Sequence, residues 1–110
     1  GEDGEKITIG SNKWPADFAA TQIPEFKKGN IVSSISSKEG GLIIVEEVDL
    51  HDFEQYVEEL KTRGFVNDAT AYTSELGHSY SAGLNDTTRA YVQYSADSKT
   101  LSINVEIGEN

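Results

Sequence analysis

The chain has 110 residues, 19 acidic and 9 basic side chains, and a net charge of -10. That balance argues against a nucleic-acid backbone as partner, which draws on clustered lysine and arginine. With no cysteine there is no disulfide, thiolate nucleophile, cysteine-type zinc site or iron–sulfur cluster, and no run reaches the roughly 20 apolar residues of a membrane-spanning helix.

In chain order, residues 1–12 are polar and dotted with glycine, with a short alternation at Ile7 and Ile9; they read as a leader, either a tether or a frayed edge strand. Methionine is absent, so a chain opening Gly1-Glu2-Asp3-Gly4-Glu5 is expected to be a product from which an N-terminal piece has been removed. A single domain is expected over 13–110, a length that can bury a core without covalent staples. Trp14-Pro15 opens a segment carrying Phe18, Ile23 and Phe26, in which Asp17 to Gln22 can form a turn or two of helix before Pro24 stops it. Its aromatic residues should lie over one edge of the core.

Two β-rich runs follow at 30–37 and 42–48, joined by Lys38-Glu39-Gly40-Gly41 as a hairpin connection. The second is apolar on both faces from Leu42 to Val45, as a central strand would be. A helix is then predicted over 50–63. Asp49 suits its N-cap, Val48 and Phe53 are spaced for a hydrophobic staple, and Leu50, Phe53, Val57 and Leu60 share one face with Tyr56 at its margin. Gly64 is the expected C-terminal glycine, with Phe65 folding back on Leu60.

Residues 65–78 admit two readings, a strand with a loop or a short helix near Ala69 to Leu76. Strands are predicted at 79–84, 89–95 and 99–107, with turns at Asn85 to Thr88 and Ala96 to Ser98. Leu101, Ile103, Val105 and Ile107 alternate with Ser102, Asn104 and Glu106, so one face is buried and one wet. The expected architecture is α+β: an antiparallel sheet of about five strands with one main helix packed on one face, in the order strand-strand-helix-strand-strand-strand.

The residues offer little chemistry. His51 and His78 lack a third ligand or metal-site spacing and read as surface histidines. No GxSxG elbow is present, and Ser33, Ser34, Ser36 and Ser37 are expected to face solvent from a strand. Acidic pairs such as Glu46-Glu47 and Glu58-Glu59 describe a solvated surface. Asn85-Asp86-Thr87 matches a glycosylation triplet but equally makes a plain turn. No catalytic residue, metal ligand or cofactor is assigned, and the chain is expected not to be an enzyme.

The aromatic residues carry the one positive indication. Tyr91 and Tyr94 lie three apart on one predicted strand and so point to opposite faces. Together with Trp14 they are candidate binding residues for a protein or carbohydrate, against the plainer reading that all three are half-buried core.

The order of Trp14-Pro15, Ile23-Pro24, a hairpin, the Asp52-Phe53-Tyr56-Val57-Leu60-Gly64-Phe65 helix and strands carrying Tyr80, Tyr91 and Tyr94 resembles a small extracytoplasmic domain of unknown function, common in lipoproteins of Gram-positive gut bacteria. The resemblance covers about residues 13–107. It implies a secreted or lipid-anchored cell-surface domain that meets the membrane only through a removed N-terminal anchor, and it supplies no catalytic residues. The resulting expectation is a monomeric, non-catalytic binding or structural module. Alternatives are a protein inhibitor or decoy using its acidic surface, and a hydrolase working with carboxylates alone.

Overall fold

The structure, a computed structural model, describes residues 7–10 and 12–108, with side chains described from Asn12 onward. Among the described residues, seven strands and one α-helix form an α+β domain: β1 (Ile7–Gly10), a 3-10 helix (Phe18–Gln22), β2 (Asn30–Ser37), β3 (Gly40–Glu46), α1 (Leu50–Arg63), β4 (Asn67–Thr73), β5 (Gly77–Gly83), β6 (Thr88–Ser95) and β7 (Thr100–Ile107). All belong to one antiparallel sheet in the order β1-β2-β3-β7-β6-β5-β4. None of the described helices is long and apolar enough to cross a membrane.

The sheet has more strands than the five expected, for two reasons. Part of the segment read as a leader joins it, since Ile7 to Gly10 pair with Ser37 to Ser34 of β2; residues 1–6 and 11 lie outside the described residues. Residues 67–73 form a full strand, resolving the ambiguous 65–78 region in favour of strand and loop. The sequence pattern could not decide this because all seven β4 residues are exposed, so no alternation marks them. The second strand begins at Gly40 rather than Leu42, leaving Lys38-Glu39 as a two-residue connection.

Two meanders meet at the centre of the sheet. The first runs β1-β2-β3; α1 then carries the chain across one face to the far edge, and β4-β5-β6-β7 step back until β7 pairs with β3. The helix begins and ends where its sequence predicts. The Asp52 carboxylate accepts the Asp49 N–H at 3.1 Å, and Gly64 takes a left-handed conformation at φ 110°, letting the Phe65 N–H reach back to the Leu60 carbonyl at 2.9 Å.

One face of the sheet is covered. Ile43 and Val45 of β3, Leu101, Ile103 and Val105 of β7, and Val92 of β6 are all buried there. Against them α1 sets Phe53, Tyr56 and Leu60, while the segment around the 3-10 helix adds Ala19, Ala20, Ile23 and Phe26. Phe26 meets Tyr56 edge-on with ring centroids 5.5 Å apart.

Two serines expected to face solvent lie instead under this cover. Ser34 and Ser36 are buried. Ser34 donates to the Lys13 carbonyl at 3.1 Å and Ser36 to the Asp17 carbonyl at 2.7 Å, while the Ala20 N–H donates to the Ser36 hydroxyl at 3.0 Å. These bonds fasten residues 13–20 onto β2, a segment whose irregular backbone would otherwise be buried without partners.

Candidate binding surface

Among the described residues, no element covers the other face of the sheet. Residues opposite one another on paired strands share a face, so the register fixes its composition. One row across the sheet is Tyr72, Ser79, Gln93, Ser102 and Ile44. The next is Thr70, Ser81, Tyr91, Asn104, Leu42 and Ile35. Hydroxyls and amides thus alternate with tyrosine and aliphatic side chains. A shallow depression of about 530 Å³ spans the two rows, with Tyr91, Gln93, Ser102 and Asn104 along it and Leu42 and Ile44 at one side. A neighbouring one of about 510 Å³ reaches Tyr72, Leu76 and His78 near the β4 edge.

Charge on this face is largely committed. Arg89 donates to the Asp68 carbonyl at 2.8 Å, the Asn67 carbonyl at 3.4 Å and the Ser81 hydroxyl at 3.0 Å. Its guanidinium also stands 5.6 Å from the Tyr91 ring centre. The Tyr91 hydroxyl donates to the Glu106 carboxylate at 3.4 Å. What the surface presents is mainly neutral donors, acceptors and apolar area, with the exposed Glu106 carboxylate at its margin.

The three residues singled out by sequence do not form one patch. Tyr91 lies on the open face and is half-buried in its row. Tyr94 is a core residue, not a contact residue: 4% exposed, it stacks on Phe53 at 5.9 Å and donates to the Val48 carbonyl at 2.7 Å. Trp14 sits on the covered side, half-buried against the core, its indole N–H donating to the Ala20 carbonyl at 3.3 Å. The polar partners of Tyr91, namely Gln93, Ser102 and Asn104, were not singled out. The signal for Ser102 and Asn104 was present in the 101–107 alternation, but only the strand order shows that they and Gln93 become neighbours of Tyr91.

Two of the groups with displaced titration lie under the cover, and the third sits at the helix start. Burial raises the Tyr56 phenol far above the usual tyrosine range, with Glu59 adding and Arg63 opposing. Burial likewise raises Tyr94, Lys99 opposing and Asp49 and Asp52 adding. Lys99 is raised by its 3.1 Å hydrogen bond to Asp49, on the exposed flank of the helix start. These shifts belong to packing and capping.

Other features read as structure. Among the described residues no group of three or more His, Asp or Glu side chains could hold a metal ion. His78 is half-buried with its ring 6.0 Å from Phe53, whereas His51 is exposed. A depression of about 410 Å³ between α1 and residues 24–28 mixes Glu25 and Glu59 with Lys27, Lys28 and Arg63; these five are exposed, as in a solvated charged surface. Asn85 makes the plain turn, its side-chain oxygen accepting the N–H groups of Thr87 and Thr88, each at 2.9 Å. Compared with known proteins, the chain matches no family model, no curated protein and no solved structure.

Proposed function

We propose that this chain is a non-catalytic binding module that works outside the cytoplasm, secreted or lipid-anchored, and offers the uncovered face of its sheet to a carbohydrate. The observation that carries this reading is the composition of the face around Tyr91: an aromatic ring and Leu42 set among the uncharged side chains of Gln93, Ser102 and Asn104. A sugar presents hydroxyls that both donate and accept, together with apolar C–H surface. Amides and hydroxyls match the first, and an aromatic ring with aliphatic neighbours matches the second. Arg89, the cation beside this face, is already bonded to protein carbonyls, which disfavours an anionic ligand there. The extracytoplasmic setting rests on the sequence resemblance.

The test is a panel of soluble neutral oligosaccharides titrated into the isotope-labelled chain. A binder should shift the amide signals of Tyr91, Gln93 and Asn104, and Tyr91→Ala should weaken it about tenfold, equivalent to about 1.4 kcal/mol. Undiminished binding by that variant, or shifts confined to the helix side, would overturn the assignment. For the setting, the native protein should fractionate with the envelope or medium; recovery in the cytosol removes that half of the proposal.

A further inference from the structure

The strand at one end of the sheet, β4, is built unlike the others. Among the described residues it has β5 as its neighbour and nothing beyond it in the sheet order, and all seven of its own residues are exposed. No side chain of β4 is buried, so packing does not hold it. Polar contacts do. Thr70 meets the Ser81 hydroxyl at 2.8 Å, Thr73 the His78 ring at 3.2 Å, and Asn67 donates to the Leu84 carbonyl at 3.1 Å. Arg89 clamps the carbonyls of Asn67 and Asp68 at the bulge, where Asp68 takes φ 47°.

The direction of the remaining backbone groups follows from the ladder. The Ser74 N–H bonds to the Gly77 carbonyl at 2.9 Å. In an antiparallel ladder, bonded and non-bonded pairs alternate, so Tyr72–Ser79 and Thr70–Ser81 are the bonded pairs. Ala71 and Thr73 then turn their N–H and C=O groups away from β5, toward the open edge. An edge of this kind is a template for another strand. Natural edges are blunted by lysine, proline, charges or bulges; β4 contains no lysine or proline, and its bulge and its one charged residue, Asp68, lie at its start, ahead of Ala71 and Thr73. The three most exposed large hydrophobic residues also gather at it: Leu76 at 74%, Tyr72 at 67% and Val66 at 51%.

We propose that β4 is a strand-addition site for an extended peptide segment in which basic residues alternate with β-branched or aromatic ones. The outward groups of Ala71 and Thr73 supply the main-chain pairing and Tyr72 supplies apolar contact. Charge decides the occupant. Asp68 and Glu75 flank the edge, Arg89 is committed to backbone carbonyls, and the whole chain carries -10. That field attracts a cationic strand and repels a second copy of the same chain. The proposal uses the edge of the sheet and does not depend on the open-face reading.

The probe is a capped synthetic peptide alternating valine and lysine, about seven residues long to match the strand, with a valine–glutamate peptide as control. Amide hydrogen exchange is read on the full chain. The lysine peptide should slow exchange at Ala71 and Thr73 about tenfold or more, while the control should leave them unchanged. Ala71→Pro should abolish the protection read at Thr73, because it removes an outward N–H without taking a bond from the β4–β5 ladder. Asp68→Asn with Glu75→Gln, at exposed positions that both new residues tolerate, should weaken the peptide about three- to tenfold and flatten its salt dependence. Three results would overturn the proposal: no protection at millimolar peptide, equal protection by the glutamate peptide, or protection that rises with protein concentration alone alongside dimers in sedimentation.

Discussion

Tyr91 and Tyr94 stand on the same strand, three residues apart, and live in different surroundings. Tyr94 is stacked on Phe53, bonded to the Val48 carbonyl and shut from water. Tyr91 lies on the bare side, its hydroxyl on Glu106 and its ring beside Arg89. Residue type does not separate them; an odd offset on a strand does, once a helix covers one face. The same parity divides every strand from β2 to β7 except β4, which is exposed on both sides. A covered face is specified by shape, whereas a bare face is free to be specified by what it binds.

Substitution should reproduce the contrast. Tyr94→Ala is expected to cost about 3–5 kcal/mol in urea unfolding, as for large aromatic truncations in cores. Tyr91→Ala should cost less than about 1 kcal/mol, as a surface change; similar losses at both would erase the distinction between the faces. Gly77→Ala comes next, at about 1–3 kcal/mol, because its new methyl would collide with the Tyr94 carbonyl oxygen. That cost arises from backbone approach and should persist in a Tyr94→Phe background.

Three buried or nearly buried phenols each hold a loop by its carbonyl: Tyr56 on Pro24 and Tyr94 on Val48, both at 2.7 Å, and Tyr80 on Phe65 at 2.8 Å. Replacing any one by phenylalanine should cost about 1–2 kcal/mol by leaving a buried carbonyl unpaired. Tyr56 and Tyr94 have folded-state values raised above the unfolded value. Their contribution is therefore whole below about pH 10 and is lost as pH rises above it. Urea midpoints followed into alkali should stay level and then fall, with a shallower fall in Tyr94→Phe. The smallest effect belongs to Lys99→Gln, which removes an exposed ion pair with Asp49 and should lower the urea midpoint only slightly, by less still as salt is added.

The parts of the fold that were legible are those where local chemistry and burial agree. The helix from Leu50 to Arg63 shows its cap, its apolar stripe and its closing glycine in the sequence alone, and β2 and β7 show clear β patterns. What was hidden depended on partners distant in sequence. Ser34 and Ser36 look like wet strand residues because the segment that buries them, residues 13–20, lies well upstream. β4 has no pattern because it has no buried face. The open surface was half visible: the wet residues of β6 and β7 could be named, but the strand order that sets Tyr91 beside Asn104 could not.

The meeting of the two meanders at β3 and β7 has a kinetic consequence. Each meander is made of neighbours in sequence, and such pairings form quickly. The central ladder, in which Ile43 lies opposite Ile103, joins strands separated in sequence by the helix and three strands. Loop-closure entropy is met there, at the middle of the sheet. Folding of this domain is therefore set by a seam in its interior, and mutations along β3 and β7 should alter the folding rate more than equally destabilising mutations at either edge.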